Sequence, residues 1–372
     1  MRQYRYFLVF ICAALIVFGL AAYPAAARTS SAPAVFFVDT DIGVDDAVAI
    51  AWLMEQPRAE ILGFTTVAGN TSNEHAARNL LTLFAAAERQ YPVTIGASAP
   101  LELPATRTGA LIHGPDGLWF NQNPTIDIGG LPGDAPAALA AAAAANPDLT
   151  IIALGPLTNI ALAVQQYPAE MAGVRLVALG GARHGGNSTP VAEFNIYADP
   201  HALEVVLAGG MQLELVTLDA FDQVQVDVEK FPARLAQRGG AVGQLLAPAL
   251  SGYFAVQQAA GPVKAAAIPD VAAVFYALYP QYGEARSALI DVVTVDDVTR
   301  GQTIIGLDIA DRVPMIADDA ELSALADQAF LPGFDLNAAL FAILVREPDN
   351  AQVILDVHER TIVRQLERAL TR

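Results

Sequence analysis

Four aspartates, Asp39, Asp41, Asp45 and Asp46, crowd into the stretch VFFVDTDIGVDDAVAI that runs from Val35 to Ile50. Carboxylates this close raise one another's pKa and cannot all stay ionised without a counter-charge. Two sources of that charge are open. The positive N-terminus of a following helix relieves Asp45 and Asp46, and helix starts favour Asp for capping alone. A bound divalent cation does far more, and an all-oxygen donor set suits a hard ion such as calcium or magnesium. Further on, Gly180–Pro200 carries Asn187, Glu193 and Asn195 in a weakly charged loop. Such side chains can bind several sugar hydroxyls at once, or merely satisfy turns. Asp270 precedes the apolar run Val271–Leu278, a place where Asp commonly caps a helix.

The elements that must position these residues alternate along the chain. Val35 to Val38 reads as a buried strand and Gly43 as a tight turn, and the apolar run Ala47–Met54 reads as a buried helix ending before Gln56-Pro57. Ile61–Val67 is a second strand, ending in Ala68-Gly69-Asn70, and Thr71-x-x-Glu74 is a capping box opening a helix to about Arg89. After a short strand at Val93–Ile95, the Gly- and Pro-rich region Pro100–Leu131 reads as loop or lid. Asp134 leads an alanine-rich helix that stops at Asn146-Pro147. Leu149–Leu154, Val174–Leu179 and Leu213–Leu218 are further strands, with Gly155–Asn159 and a helix to about Tyr167 after the first of them.

Strands separated by helices imply an α/β fold: a mainly parallel open sheet with helices on both faces. No clear linker breaks the pattern, so one domain is expected. Ligands of such sheets bind outside the carboxyl ends of the strands. That rule gathers Asp39, Asp41, Asn70, the Leu154 carbonyl, Gly180-Gly181 and Asp219 along one edge.

The chain has 372 residues, 54% of them hydrophobic, and a formal charge of −18. So acidic a chain argues against nucleic-acid polymers and anionic membrane surfaces, which call for Lys and Arg. Arg2 and Arg5, the apolar stretch Phe7 to Ala22 and Ala25-Ala26-Ala27 have the form of a signal peptide over residues 1–27. The expectation is export to the periplasm or beyond, with residues 28–372 as the mature protein and no stable membrane insertion. Cys12, the single cysteine, lies inside that segment, so the mature chain would have neither disulfide nor thiol chemistry.

DTDIGVDDAVAI resembles the N-terminal signature of the inosine-uridine preferring nucleoside hydrolase family. The likeness continues in order through Thr65–Asn70, His113-Gly114, Gly155–Asn159, Val191–Asn195 and Arg300–Thr303, and weakly near Val353–Leu370. It implies a Rossmann-like fold of nucleoside hydrolase type and calcium-dependent cleavage of ribonucleosides to ribose and free base. It assigns Asp41, Asp46, Asp270 and the Leu154 carbonyl to Ca2+. Asp45, Asn70, Asn187, Glu193 and Asn195 match ribose-contacting positions, His113 joins the substrate-binding set, and Asp39 supports the ligands. Asp41 would take the proton of the metal-held water as general base. The resemblance further implies nucleoside salvage and a homo-oligomer.

One departure is plain. The best-known relatives carry His-Asp where this chain has Pro269-Asp270, and proline cannot protonate a departing base. His113 and His184 are the remaining histidines near the motifs, and Trp119 and Phe120 are available either to stack on a base or to pack the core. Residues 311–349 read as an insertion. Two other classes share part of the pattern. A metal-dependent aspartate-based phosphatase has D-x-D after a strand, but a hydroxyl residue normally stands where Gly43 is. An exported sugar- or nucleoside-binding protein without catalysis would not need four clustered carboxylates.

Overall fold

The computed structural model describes residues 33–105, 107–259 and 261–371, so the expected export segment and Cys12 lie outside the described residues. The strands are β1 (Ala34–Thr40), β2 (Ala59–Thr66), β3 (Val93–Ile95), β4 (Thr150–Ala153), β5 (Arg175–Leu179), β6 (Gln212–Val216), β7 (Gln225–Asp227), β8 (Ala265–Ala267), β9 (Gly283–Val292), β10 (Thr303–Gly306) and β11 (Ala351–Val357). A 9-stranded sheet has the order β10-β9-β11-β6-β5-β4-β1-β2-β3. Every pairing from β3 across to β11 is parallel, and β9 runs antiparallel to β11. Strands covered on both faces read as continuous apolar runs, and Phe36, Val38, Ile151, Ile152, Leu176 and Val177 are fully buried.

From β1 the chain builds outward through β2 to β3, then crosses back to add β4, β5 and β6 on the other side of β1. The order therefore reverses between β1 and β4, which is where open parallel sheets hold their ligands.

Two helices start at this edge. Val44–Met54 and Asp270–Leu278 are buried along their whole lengths, as their near-continuous apolar sequences require. Trp52 of the first packs on Phe275 of the second, with ring centroids 5.1 Å apart. Both helices thus point their N-termini at the sheet's carboxyl edge.

The chain divides into two compact units, one formed by Ala32–Ile305 with Asp349–Arg372 and one containing Gly306–Pro348. The smaller holds the helices Ile309–Ile316, Asp319–Gln328 and Leu336–Leu344, each started by an aspartate cap, around Val313, Ala317, Leu340 and Ile343. Among the described residues, no helix is long and apolar enough to cross a membrane.

The expected capping box moves by one residue. Ser72, not Thr71, caps the Asn73–Ala87 helix, its hydroxyl accepting from the His75 N–H at 3.1 Å, while Thr71 is buried. An unpaired N–H in a first turn makes the cap worth about 1 kcal/mol. Ser72→Ala should lower unfolding free energy by about that amount in urea titration, and an unchanged midpoint would return the cap to Thr71.

Candidate active site

β1 delivers Asp39, Thr40 and Asp41 to the sheet's edge, and the chain turns at Gly43 into the helix carrying Asp45 and Asp46. Asp39, Asp41, Asp45, Asp46 and Asp270 are all buried, none more than 5% exposed. Thr40 Oγ1 donates to Asp46 Oδ1 at 2.6 Å and the Gly43 N–H to Oδ2 at 2.9 Å. Asp46 therefore caps its own helix as well as joining the cluster. The Asn70 N–H donates to Asp41 Oδ2 at 2.6 Å, and its side-chain amide reaches Asp41 at 3.3 Å and Asp46 at 3.1 Å.

Gly69 and Gly155 flank the Asp41 carboxylate so closely that a Cβ at either would collide with it. That contact gives the Ala68-Gly69-Asn70 and Gly155-Pro156 turns their physical reason. Asp39 accepts from Thr65 Oγ1 at 2.6 Å and Asn159 Nδ2 at 2.7 Å, while its other oxygen is buried without a partner.

The side-by-side helices bring distant sequence together. Carboxylate oxygens of Asp45, Asp46 and Asp270 lie within 4.8 Å of one another. Asp270 Oδ1 is buried and accepts no hydrogen bond, and no side-chain cap is made at its helix start, so the cap expected on frequency is not its role. Asp41, which the resemblance places on the metal, faces Asn70 beside this trio, and Asp45, assigned to the sugar, stands inside it.

The electrostatics follow from this crowding. Burial, then the charges of Asp46 and Asp45, push Asp41 far above the ordinary carboxylate range. Asp270 rises for the same reasons in the same order. Asp46 is lifted to about 7 and Asp39 to about 6, burial being the largest cause in each. Uncompensated buried charge with an orphaned oxygen and an all-oxygen donor set is the chemistry of a hard divalent cation site. The residues present fit one.

The loop after β5 adds a polar wall. Asn195 Nδ2 donates to the Leu154 carbonyl at 2.7 Å and the Leu179 carbonyl at 3.0 Å. Glu193 accepts from the backbone of Gly181, Asn195 and Ile196, and burial still raises it to about 7. Asn187 Oδ1 accepts from the Phe194 N–H at 2.9 Å, which ties all three residues into one loop.

On the β2 side, His113 Nδ1 accepts from the Val44 N–H at 3.2 Å. Its neutral ring therefore carries the proton on Nε2, and the 3.5 Å approach of Nδ1 to Asp45 is not an ion pair. Burial lowers the His113 pKa, with Asp45 opposing. His184 is set apart, paired with Asp219 beyond β6. Trp119 is committed to structure: it packs against Gly252 and donates Nε1–H to the Ile112 carbonyl at 2.8 Å, whereas Phe120 is exposed.

Sequence reasoning passed over Thr40, Thr65, Asn159 and Tyr253, whose hydroxyl donates to Asp45 at 3.4 Å. The first three sat inside or beside quoted motifs and were findable there. Tyr253 had no local signal.

Fold and site together define a doubly wound α/β protein whose ligand site is a nest of buried carboxylates at the sheet's switch point. The profile of the inosine-uridine preferring nucleoside hydrolases matches residues 36–363. The non-specific ribonucleoside hydrolase RihC of Escherichia coli is 34% identical over 276 residues, 73% of this chain and 88% of the relative. Among solved structures, a plant nucleoside hydrolase, the PpNRh1 enzyme, superposes with TM-score 0.74 at 25% identity over 91% of this chain and 99% of that one. The purine-preferring ribonucleoside hydrolase from Gardnerella vaginalis shares the fold, with TM-score 0.72 at 22% identity over 91% and 98% of the two chains. This chain belongs to the inosine-uridine preferring nucleoside hydrolase family, and is a glycosidase that hydrolyses the N-glycosidic bond of ribonucleosides.

The raised carboxylates carry a stability signature. Unfolded, they titrate near the ordinary aspartate value of 3.8, whereas burial lifts folded Asp39 to about 6 and Asp46 to about 7. Between those values the folded chain binds more protons, so its stability falls as pH rises. In chelator, the unfolding temperature should drop from about pH 4 to about pH 7, and the drop should be smaller in Asp270→Asn. A midpoint that rises across this window would contradict the arrangement.

Proposed function

We propose that this chain cleaves ribonucleosides with calcium held by Asp41, Asp46, Asp270 and the Leu154 carbonyl. The observation that carries this reading is Asp270 Oδ1, buried and unpartnered beside Asp45 and Asp46. A dry carboxylate oxygen without a donor is costly unless something cationic meets it. Bound there, calcium would fix the ribose 2′,3′-diol and lower the pKa of a water.

The chain's own groups do the rest. Asp41, oriented by the Asn70 N–H and amide, accepts the proton of the attacking water at a carboxylate oxygen. As the bond from C1′ to the base breaks, positive charge grows on the sugar ring, and the preorganised carboxylates stabilise it. Asp45, Asn70, Asn187, Glu193 and Asn195 bind the ribose, and Asp39 braces the loop ends through Thr65 and Asn159. His113 contacts the substrate as a neutral donor through Nε2–H. Exported by residues 1–27, such an enzyme would serve salvage of external nucleosides, as a homo-oligomer.

Ribose release from inosine and uridine, measured with and without chelator, tests the reading. Activity should vanish on chelation and return with calcium, and activity that ignores the chelator would remove the metal from the mechanism. Asp41→Ala should lower kcat by about 10²–10⁴-fold, and a variant of normal rate would exclude Asp41 as the base. Calcium should also raise the unfolding temperature of the wild type and not of Asp270→Asn, a readout independent of turnover.

A further inference from the structure

We propose that the cleft beyond Asn187 is a subsite for a neutral, hydroxyl-rich group carried on C5′ of the ribose, so that 5′-O-glycosylated ribosides are preferred over simple ones. The inference rests on the proposed seat of the ribose among Asn187, Glu193 and Asn195.

A cleft of about 520 Å³ opens past Asn187, lined by His184, Asp219, Asp222, Gln223 and Gln225 among others. That volume falls within the roughly 300–1,000 Å³ of ordinary ligand sites. It is not the space around the buried carboxylates, because none of those lines it. Its place follows from strand order. Asp41 follows β1 and has Asn70, after β2, on one side, while Asn187 follows β5 and Asp219 follows β6 on the other. A pentose seated with C1′ at Asp41 and its C4′ side at Asn187 and Glu193, as proposed, carries its C5′ arm toward β5 and β6.

The chemistry of the lining selects the ligand. Asp219 Oδ2 accepts from the Arg183 N–H at 2.8 Å, and Oδ1 meets His184 Nδ1 at 2.7 Å. The carboxylate thus fixes the imidazole with Nδ1 as donor, and the ring, 77% exposed, offers Nε2 to the cleft. Gln223 Nε2 gives both its hydrogens, to the Asp219 carbonyl at 2.8 Å and the Leu355 carbonyl at 3.3 Å, and Gln225 Nε2 gives one of its two to the Asp222 carbonyl at 3.0 Å. Both amides are left with carbonyl oxygens to give. Asp222 adds a carboxylate. Asn187, whose oxygen is taken by Phe194, offers its Nδ2 as a donor. A lining with more acceptors than free donors, and with the Asp222 carboxylate among them, fits a ligand rich in O–H groups, such as a sugar, and repels a phosphate.

Steady-state hydrolysis of inosine, 5′-O-glucosyl inosine and inosine 5′-monophosphate, followed as base release, tests the assignment. The glucosyl compound should give a kcat/KM several-fold above inosine, and the monophosphate one below it. In Asp222→Ala and Gln225→Ala the ratio of glucosyl inosine to inosine should fall about three- to tenfold, the size of one lost hydrogen bond. Taking the ratio within each variant cancels any loss of folded protein. Equal or poorer use of the glucosyl compound, or preference for the monophosphate, overturns the subsite. So does a His184→Ala variant that loses inosine turnover more than glucosyl inosine turnover, because that pattern assigns His184 to the departing base. Failure to cleave any of the three removes the proposed function itself.

Discussion

Mutual repulsion among carboxylates buried at one sheet edge is the constraint to which the rest of this molecule answers. Two unit charges 4 Å apart cost about 4 kcal/mol at an effective dielectric near 20, and desolvation adds several kcal/mol for each ion. Two helix N-termini point at the cluster, but each is worth only about 0.3–1 kcal/mol to a neighbouring carboxylate. Hydrogen bonds from Thr40, Gly43 and Asn70 offset part of the remainder. The balance is left unmet, and the raised Asp41, Asp46 and Asp270 express it. A site that is costly when empty of positive charge is one that binds such charge tightly.

Much of the scaffold keeps that cluster in register. The parallel sheet sets the height of Asp39 and Asp41, and Trp52 on Phe275 sets the spacing of the two helices. Glycines at 69 and 155 leave room for the Asp41 carboxylate. Even the late Arg300–Thr303 motif acts at a distance. Thr303 Oγ1 accepts from the Ala182 N–H at 2.9 Å and donates to its carbonyl at 2.7 Å, which pins the start of the loop that carries Asn187 and Glu193. Arg300, buried, donates to the Tyr197 and Ala198 carbonyls just past that loop. Motifs far apart in sequence are therefore parts of a single support.

The alternation of apolar runs and turn residues made the sheet and its edge legible, because a strand buried on both faces leaves little freedom in composition. Asp39, Asp41, Asp45 and Asp46 declared themselves by crowding. Asp270 did not, since an Asp ahead of an apolar helix has the same appearance whether it caps or binds. Only the packing of its helix against Val44–Met54 separates the two. The shift from Thr71 to Ser72 lies below what spacing resolves, since both are hydroxyl residues beside the same helix. Tyr253 was invisible because its partner, Asp45, is remote in the chain and meets it only through tertiary packing.

Pro269, standing where the resemblance implies a histidine, changes what the remaining polar groups would have to do. Pro269 sits at the start of the Asp270–Leu278 helix, where proline's fixed φ is well accommodated and its missing N–H costs nothing. The position is thus structurally content while contributing no proton. His113 does not simply take over as an acid. Its Nδ1 is occupied as an acceptor by the Val44 N–H, and burial depresses its pKa. At neutral pH it meets any partner as an uncharged donor through Nε2, able to stabilise a departing base by a hydrogen bond rather than by handing over a full proton. On the proposed mechanism, bond breaking would then lean more on stabilising the positive sugar than on neutralising the leaving group, which is the side of the reaction that the buried carboxylates would serve.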